Sequence, residues 1–423
     1  MGKKGNAVKT SIALCIALCI ALCAVLVGAS SLSCFAGSSF DTINSILSLN
    51  YATSGADPVG GVIVSNGEIY GATSMGGASG GGTVFAAPIS GSPIQVLLST
   101  AVPNEAAPDN LALEGSTLYG DATNGGPNEL GQIYSLPTAG GTVGVLANLN
   151  ATSGEGPESG LIVSGNTIYS TGSGGGSGGA GTVFSLPISG GTPTVLANFN
   201  GTNGLLPGRL VLSGNTLYGT AVFGGIGFQA GVGNSGDGVV FSASVNGTSA
   251  TTLAMFNGSD GMNPTNLMLS GSTLYGCATD GAADSMGAIF SLPVAGGTPD
   301  VLASFDGTDG DYPDSLIQFG DELYGTTKFG GQYGDGVVFS LPLDGGTPTV
   351  LDTFTGANGA DPIGPLTLVG DTLYGATEGG GTNNDGTVYS IIVPAPRMSV
   401  LLAIFFAYLI RRFSIRSNRP EVN

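Results

Sequence analysis

Short runs of apolar and β-branched residues alternate with glycine-rich turns along most of the chain, in a unit of about 50 residues. Each unit contains four runs, of which "RLVLS", "TLYGTAV", "GVVFSAS" and "TPTVLANF" are examples. The runs are rich in Val, Leu, Thr, Phe and Tyr, and Gly, Asn and Pro separate them, as in antiparallel strands joined by tight turns. No run inside the units has an apolar period of 3.6 residues over the length of a helix. The pattern therefore predicts an all-β fold with four strands in each unit.

Seven copies of the unit can be aligned on one tyrosine, and the spacings between copies are 49, 50, 49, 57, 49 and 50 residues. The aligned residues are Tyr70, Tyr119, Tyr169, Tyr218, Tyr275, Tyr324 and Tyr374. A second aromatic residue follows the tyrosine after fifteen residues in six copies, and after twenty-three in the fourth. A period this regular indicates a repeat architecture.

The arrangement of the runs favours a seven-bladed β-propeller of four-stranded blades over residues 37–393. Pieces such as "VVF" and "LVL" are apolar on consecutive residues, as expected for a sheet packed between two other sheets. The seventh copy lacks its fourth strand, and "FDTINSILSLN" ahead of the first copy aligns with the missing piece. The N-terminal strand is therefore expected to close the ring, which leaves no open edge there. A right-handed β-solenoid is the alternative, although its rungs are usually shorter and it needs no such strand.

The repeated tyrosine is interpreted as a packing residue. Its ring would fill the gap between neighbouring sheets while its hydroxyl finds a backbone partner. A glycine follows it in six of the seven copies, with Ser170 as the exception, and would allow close approach of the backbone.

The unit "L.LSGNTLYGTA…GTVFSLP..GGTPTVLANFNGTNG" resembles the GloVer tandem repeat of cyanobacterial and verrucomicrobial proteins, over residues 40–393. The resemblance implies a secreted or surface protein with a C-terminal anchor. It implies no established enzymatic activity and so supplies no catalytic residues.

Residues 1–36 have the layout of an export signal peptide. Three lysines precede an apolar run from about Ile12 to Val27, and small residues follow. Cleavage is expected between Ala29 and Gly37. The alternatives are an uncleaved membrane anchor and lipid attachment at Cys34.

Residues 394–423 form a C-terminal tail that resembles the PEP-CTERM sorting signal read by exosortases. Val393–Pro396 is followed by thirteen apolar residues from Met398 to Ile410 and then by Arg411 and Arg412. Ala395 stands where the family's motif usually has Glu. The alternative is a plain membrane tail held by its arginines. The predicted partner of this tail is a sorting or processing enzyme, and the predicted contact with a membrane is made only by the terminal segments. Either interpretation places the propeller outside the cytoplasm.

Charge and cysteine content agree with export. Residues 37–393 contain 28 acidic residues and two basic ones, which gives a net charge of −26. Nucleic acid is excluded as a partner because phosphate binding needs clustered cations. The charge is explained by solubility of a secreted domain. Cys277 is the only cysteine in the repeats, so the repeats carry no disulfide framework.

The absence of histidine from the sequence removes Ser-His-Asp and Cys-His catalysis and histidine metal sites. Tryptophan is absent too, which leaves tyrosine as the stacking surface for sugars. We therefore expect no enzymatic activity, no cofactor, and no assigned catalytic, cofactor-binding or metal residue. A glycosidase or polysaccharide lyase that uses a pair of carboxylates is the alternative.

The loops between the second and third strands, and those between blades, are expected to share one polar and acidic face. Asp306, Asp309, Asp311 and Asp314 are candidates for calcium ligation, with turn capping by their own side chains as the alternative. The eight extra residues of the fourth blade would place Phe223 and Phe228 on a long binding loop, or be a tolerated insertion.

Arg209 and Lys328 are the only cations of the repeats. They are expected to pair with nearby carboxylates, or else to contact an anionic sugar. Together these features predict a non-enzymatic extracellular or cell-surface β-propeller that binds extracellular polysaccharide or a surface protein, or that serves as a structural module of the envelope or matrix. A purely structural adhesin without a pocket is the third possibility.

Overall fold

The computed structural model describes residues 42–101, 108–157 and 159–394. The predicted signal peptide and nearly all of the predicted sorting tail lie outside these residues. The described part contains twenty-eight strands and is an all-β, seven-bladed propeller. None of its elements is a helix long and apolar enough to cross a membrane.

Each blade is an antiparallel sheet of four strands. Blade 1 consists of β2 (Ala56–Ser65), β3 (Glu68–Met75), β4 (Gly80–Pro88) and β5 (Gln95–Ala101). Blade 2 consists of β6 (Pro108–Glu114), β7 (Thr117–Ala122), β8 (Gln132–Pro137) and β9 (Gly144–Asn148). Blade 3 consists of β10 (Ile162–Ser164), β11 (Thr167–Gly172), β12 (Thr182–Pro187) and β13 (Thr194–Asn198). Blades 4 and 5 consist of β14 (Leu205–Ser213), β15 (Thr216–Phe223), β16 (Val239–Ser244) and β17 (Ala250–Met255); and β18 (Met262–Ser270), β19 (Thr273–Asp280), β20 (Ala288–Pro293) and β21 (Asp300–Ser304). Blades 6 and 7 consist of β22 (Asp311–Phe319), β23 (Glu322–Phe329), β24 (Val337–Pro342) and β25 (Thr349–Thr353); and β26 (Ala360–Val369), β27 (Thr372–Gly379), β28 (Thr387–Ile392) and β1 (Asn44–Ser48).

Blade 7 contains strands from both ends of the described chain. Its strand order is β1-β28-β27-β26, and β1 pairs antiparallel with β28, with Ser48 opposite Thr387. The first strand of every blade lies at the inner edge of its sheet, where neighbouring first strands contact each other.

The repeated tyrosines pack between blades, as predicted. Tyr70 of blade 1 belongs to the same apolar cluster as Leu118 and Tyr134 of blade 2, and Tyr324 of blade 6 packs with Tyr389 of blade 7. Burial of apolar surface between sheets is the main stabilising contribution in such a fold.

The glycine after the tyrosine makes room for an aromatic ring and, in blades 5 and 6, also for the predicted close approach of the backbone, since a Cβ would lie 2.7 Å from Asn266 O at Gly276 and 2.4 Å from Ser315 O at Gly325. In blade 5, Gly276 lies opposite Phe290 in the β19–β20 register, and a Cβ at Gly276 would overlap the end of that ring. The Phe290 ring in turn stacks edge-on against Phe256 from the outer strand of blade 4, with centroids 5.0 Å apart. The same edge-on pairing joins blades 3 and 4, 5 and 6, and 6 and 7.

A second contact between blades repeats seven times. It joins a glycine at the start of the third strand to a proline in the next blade's first strand or, for Pro157, shortly before that strand. Each glycine has φ between +92° and +108°, and a Cβ on it would lie within 2.9 Å of the proline Cδ. The pairs are Gly82–Pro108, Gly131–Pro157, Gly181–Pro207, Gly238–Pro264, Gly287–Pro313, Gly336–Pro362 and Gly386–Pro58. Because the last pair joins blade 7 to blade 1, all seven interfaces have the same contact.

The tyrosine hydroxyl of blade 6 donates to the carbonyl oxygen of Pro394 at 3.4 Å. This long hydrogen bond ties the end of the described chain to the ring. We expect Tyr324→Phe to lower the free energy of unfolding by at most about 1 kcal/mol, because one neutral hydrogen bond is lost and the ring stays in place. Tyr218→Phe is the matched control, and denaturant unfolding of both variants measures the difference. Equal stability of the two variants would show that the contact with Pro394 contributes nothing.

Candidate functional site

The loops between second and third strands lie on one face with the loops between blades, as predicted. Backbone hydrogen bonds join the two sets, for example Gly225 N–H to Gly201 O and Gly331 N–H to Gly307 O, each at 2.9 Å. We call this surface the loop face. The short turns between first and second strands lie on the opposite side, because alternate strands run in opposite directions.

The acidic run of the sequence caps a turn on the loop face. Oδ1 of Asp306 accepts hydrogen bonds from the hydroxyl and the backbone N–H of Thr308, and these bonds lower the pKa of Asp306. Oδ1 of Asp309 in turn accepts a hydrogen bond from the Asp306 N–H at 3.0 Å. Asp311 begins β22, and Asp314 lies deeper in that strand. Within the described residues, no three His, Cys, Asp or Glu side chains converge on a possible metal position.

The long loop of blade 4 holds its aromatic residues differently from the prediction. Phe223 is the last residue of β15 and pairs with Leu205, so it belongs to the sheet. Phe228 is half-buried because its ring covers Gly201, where a Cβ would overlap the ring. The exposed apolar side chains of this loop are instead Ile226 and Val232.

Exposed aromatic side chains on the loop face come from other blades. Tyr333 is 56% exposed, Tyr51 is 50% exposed and Phe329 is 39% exposed. Phe329 is supported edge-on by Tyr312, with ring centroids 6.0 Å apart. Aromatic faces exposed beside polar loops are suited to stacking against a flat ligand surface.

Lys328 pairs with a carboxylate, as predicted. Its Nζ lies 2.8 Å from Glu378 Oε2, across the interface of blades 6 and 7. Burial by itself would lower the pKa of Lys328. The hydrogen bond to Glu378 and the negative charges of Glu378, Asp361 and Asp314 outweigh burial, so the pKa of Lys328 is raised. This cation is therefore already neutralised by the protein.

Arg209 has no comparable ion pair, and here the structure differs from the prediction. It lies on β14, the inner strand of blade 4, and its Nη2 donates to Asn110 Oδ1 of blade 2 at 2.9 Å. No carboxylate oxygen of the described residues lies within 4.0 Å of the guanidinium. Burial lowers the pKa of Arg209, while the more distant charges of Asp314 and Asp121 act against that change.

Two cavities, each of about 220 Å³, lie beside Arg209 at the centre of the ring, since their walls come mainly from the inner strands of several blades. The loop-side cavity reaches Leu206 and Val222, and the turn-side cavity reaches Ile162 and Leu316. Three residues, Ser159, Arg209 and Asn266, line both cavities.

Asp121 is a fully buried carboxyl on β7, close to the same centre. Burial raises the pKa of Asp121 to about 7, although hydrogen bonds from Asn110 and the charge of Arg209 lower it. Its Oδ1 accepts the Asn110 N–H at 2.7 Å, and its Oδ2 has no hydrogen-bond partner. Tyr134 nearby has its pKa raised by burial and by the charges of Asp121 and Asp109.

A third cavity, of about 560 Å³, lies between blades 1 and 2. Thr100 stands there in the repeat position that Phe199, Phe256 or Phe305 occupies elsewhere. Thr100 donates to Gly81 O and Gln132 donates to Asn148, while the buried hydroxyl of Tyr134 in the same lining has no hydrogen-bond partner among the described residues. This cavity is a less well filled blade interface without a charged group in its lining, and the central cavities, which Arg209 lines, are the better candidates for a site.

The repeat, its period and the ring of seven sheets agree with one family of sequences. The family model of the Gloeobacter/Verrucomicrobia repeat matches residues 35–232 and 226–406. The chain belongs to this family. Among curated proteins none matches the sequence.

Solved structures similar to this Gloeobacter/Verrucomicrobia repeat protein share its fold at low sequence identity. The WD40 β-propeller domain of Doa1 is 10% identical with a TM-score of 0.54, over 84% of this chain and 97% of that one. A puromycin-hydrolyzing peptidase from Mycobacterium tuberculosis is 13% identical with a TM-score of 0.54, over 86% of this chain and 56% of that one. At these identities the likeness shows the propeller fold and no shared activity.

Proposed function

We propose that this protein is a non-enzymatic propeller that works outside the cytoplasm, where its loop face binds an extracellular polysaccharide. The observation that carries the proposal is the set of exposed aromatic rings on that face, namely Tyr51, Phe329 and Tyr333. Tyr51 and Tyr333 stand on loops and Phe329 ends β23, all on a rigid ring of sheets and beside acidic and amide side chains that can bond sugar hydroxyls.

A non-catalytic role is supported by the burial of the one carboxyl group whose pKa is raised close to neutrality. Asp121 has a pKa near neutrality, as a general acid would need, but it is fully buried and cannot reach a polysaccharide. The sequence contains no histidine to act in its place.

Export and anchoring belong to the same proposal, on the support of the sequence at both ends. Residues 1–36 would direct export, and the tail from residue 394 would be held in the membrane or processed by a sorting enzyme. The pairing of β1 with β28 supports closure of the ring by the N-terminal strand. Cell fractionation with protease treatment of intact cells tests the location, since a propeller inside the cytoplasm would be protected from the protease.

A polysaccharide array followed by titration calorimetry with the full chain tests the binding function. We expect Tyr333→Ala to weaken polysaccharide binding about tenfold, roughly 1.4 kcal/mol, because an exposed stacking surface is removed without disturbing the core. Val369→Ala, an exposed apolar residue beside a turn on the opposite side, should bind like the wild type. Wild-type protein that binds no polysaccharide, or a Tyr333→Ala variant with unchanged affinity, would overturn the proposal.

A further inference from the structure

The loop-side central cavity contains a cation and an anion that do not pair with each other. Arg209 and Asp314 both line this space of about 220 Å³. Asp314 Oδ2 accepts the Gly364 N–H at 3.0 Å, and it lies more than 4.0 Å from the guanidinium nitrogens of Arg209. Opposite charges therefore face one small cavity from the inner strands of blades 4 and 6.

Arg209 is far from satisfied by the described residues. A guanidinium has five N–H donors in a planar fork, and only one hydrogen bond, to Asn110, is formed with described residues. Leaving a desolvated charge with so few partners is costly, and buried charges in proteins are normally paired. A planar oxyanion is the partner that fits the open side of this fork.

Two neutral polar groups point to the same conclusion. Asn266 is only 7% exposed, lines the cavity, and its side-chain amide forms no hydrogen bond with the described protein. Oγ1 of Thr265, also in the lining, is buried and has no partner. Buried polar groups without partners are rare in native proteins and call for an explanation.

The charge of the domain argues against a simple anion as the ligand. With 28 acidic and two basic residues in residues 37–393, the long-range field repels anions. Asp314 at the cavity wall would repel them at short range as well. A molecule with no net charge but with both a carboxylate and an ammonium group avoids both penalties.

We propose that the loop-side central cavity binds a small zwitterion of the α-amino-acid class, with its carboxylate on Arg209 and its ammonium group beside Asp314. Asn266 and Thr265 would complete the hydrogen bonding of the polar end. Leu206, Pro207 and Val222 form an apolar part of the lining that suits a short aliphatic side chain. This site is separate from the aromatic residues of the loop face, so it stands or falls independently of polysaccharide binding.

Calorimetric titration of the full chain with L-alanine, propionate and ethylamine tests the proposal without any mutation. We expect saturable binding of alanine in the millimolar range or tighter, and at least tenfold weaker binding of propionate and of ethylamine, because each lacks one of the two charges. Propionate binding as well as alanine would identify an anion site instead and overturn the proposal. No saturable binding of alanine would also overturn it.

Variants locate the site. Arg209→Lys keeps the charge but loses the planar fork, and Asp314→Asn removes the anion while keeping the shape, so each should weaken alanine binding at least tenfold. Asp371→Asn, at an exposed carboxyl on a turn of the opposite side and outside the cavity lining, should leave it unchanged. Alanine should also raise the melting temperature of the wild type and not that of the Asp314→Asn variant. Unchanged alanine affinity in the folded Arg209 and Asp314 variants would overturn the assignment.

Discussion

Replacing Gly287 by alanine should lower the free energy of unfolding by roughly 2–5 kcal/mol. This glycine has φ of +92°, a conformation that costs an L-residue about 1–2 kcal/mol. A Cβ would also lie 2.5 Å from Pro313 Cδ and 2.6 Å from the carbonyl oxygen of Ala278. Overpacking of this kind costs roughly 1–3 kcal/mol more, and a backbone oxygen and a proline ring have little freedom to move away.

Gly271→Ala is the matched control for that experiment. Gly271 also has positive φ, +61°, but no atom lies within 4 Å of the position a Cβ would take. We expect this variant to lose only about 1 kcal/mol, since backbone strain is its sole cost. Denaturant unfolding of the two variants separates strain from the blade contact. Equal losses would show that the glycine–proline contact between blades 5 and 6 is not a tight one.

The period of the sequence was enough to predict the number of blades and the strands in each. Hydrophobic runs separated by Gly and Asn are a local signal, and the aligned tyrosines fixed the register of every blade. The place of Phe223 was predicted wrongly because the insertion begins one residue later, after a strand that pairs Phe223 with Leu205. The tyrosine was rightly identified as a packing residue, and the glycine beside it accommodates an aromatic ring as well as the predicted close approach of the backbone in blades 5 and 6.

The central site was missed although a signal for it is present in the sequence. Seven prolines recur with the period of the repeat, and the second residue after each lies on the inner strand of its blade or, for Ser159, just before it. Those residues are Gly60, Asn110, Ser159, Arg209, Asn266, Ser315 and Gly364. Aligning them would have placed Arg209 at the centre of the ring. Its contact with Asn110 could not have been predicted, because the two belong to blades that are not neighbours and only the closed ring brings them together.

The same limit applies to Asp121. The second residue after each aligned tyrosine is Ala, Thr, Cys or Asp, and only the structure shows that every one of them is buried. A lone aspartate among Ala72, Thr171, Thr220 and Cys277 is an evident departure from the repeat. The structure shows that Asp121 is desolvated and that its Oδ2 has no hydrogen-bond partner. Both properties depend on packing between distant parts of the chain, which a local sequence pattern does not report.

Asp121→Asn should remove most of the pH dependence of stability between pH 4 and pH 8. Because burial raises the pKa of Asp121 from 3.8 to about 7, the folded protein prefers the protonated carboxyl. The stability that this preference provides is fully present below about pH 3.8 and is lost as the pH rises to about 7. The loss is about 4 kcal/mol, since each unit of pKa difference corresponds to about 1.36 kcal/mol.

The asparagine variant stays neutral at every pH and can still accept the Asn110 N–H, so it should not lose stability along this range. The free energy of unfolding of the variant minus that of the wild type should therefore increase by about 4 kcal/mol from pH 4 to pH 8. Other carboxyl groups titrate equally in both proteins and cancel in this difference. Asp121→Thr, which places there the residue that blades 3 and 4 already hold as Thr171 and Thr220, should give the same result.

Asp237→Asn is the control, because Asp237 is a carboxyl whose pKa is also raised, by burial and by Asp260, but which is only partly buried. The free energy of unfolding of Asp237→Asn minus that of the wild type should change much less between pH 4 and pH 8. A flat difference for Asp121→Asn would mean that the carboxyl is hydrated or paired with Arg209 in solution. A difference that grows toward acid pH would mean that its pKa is lowered, as in an ion pair, and would contradict the burial seen in the structure.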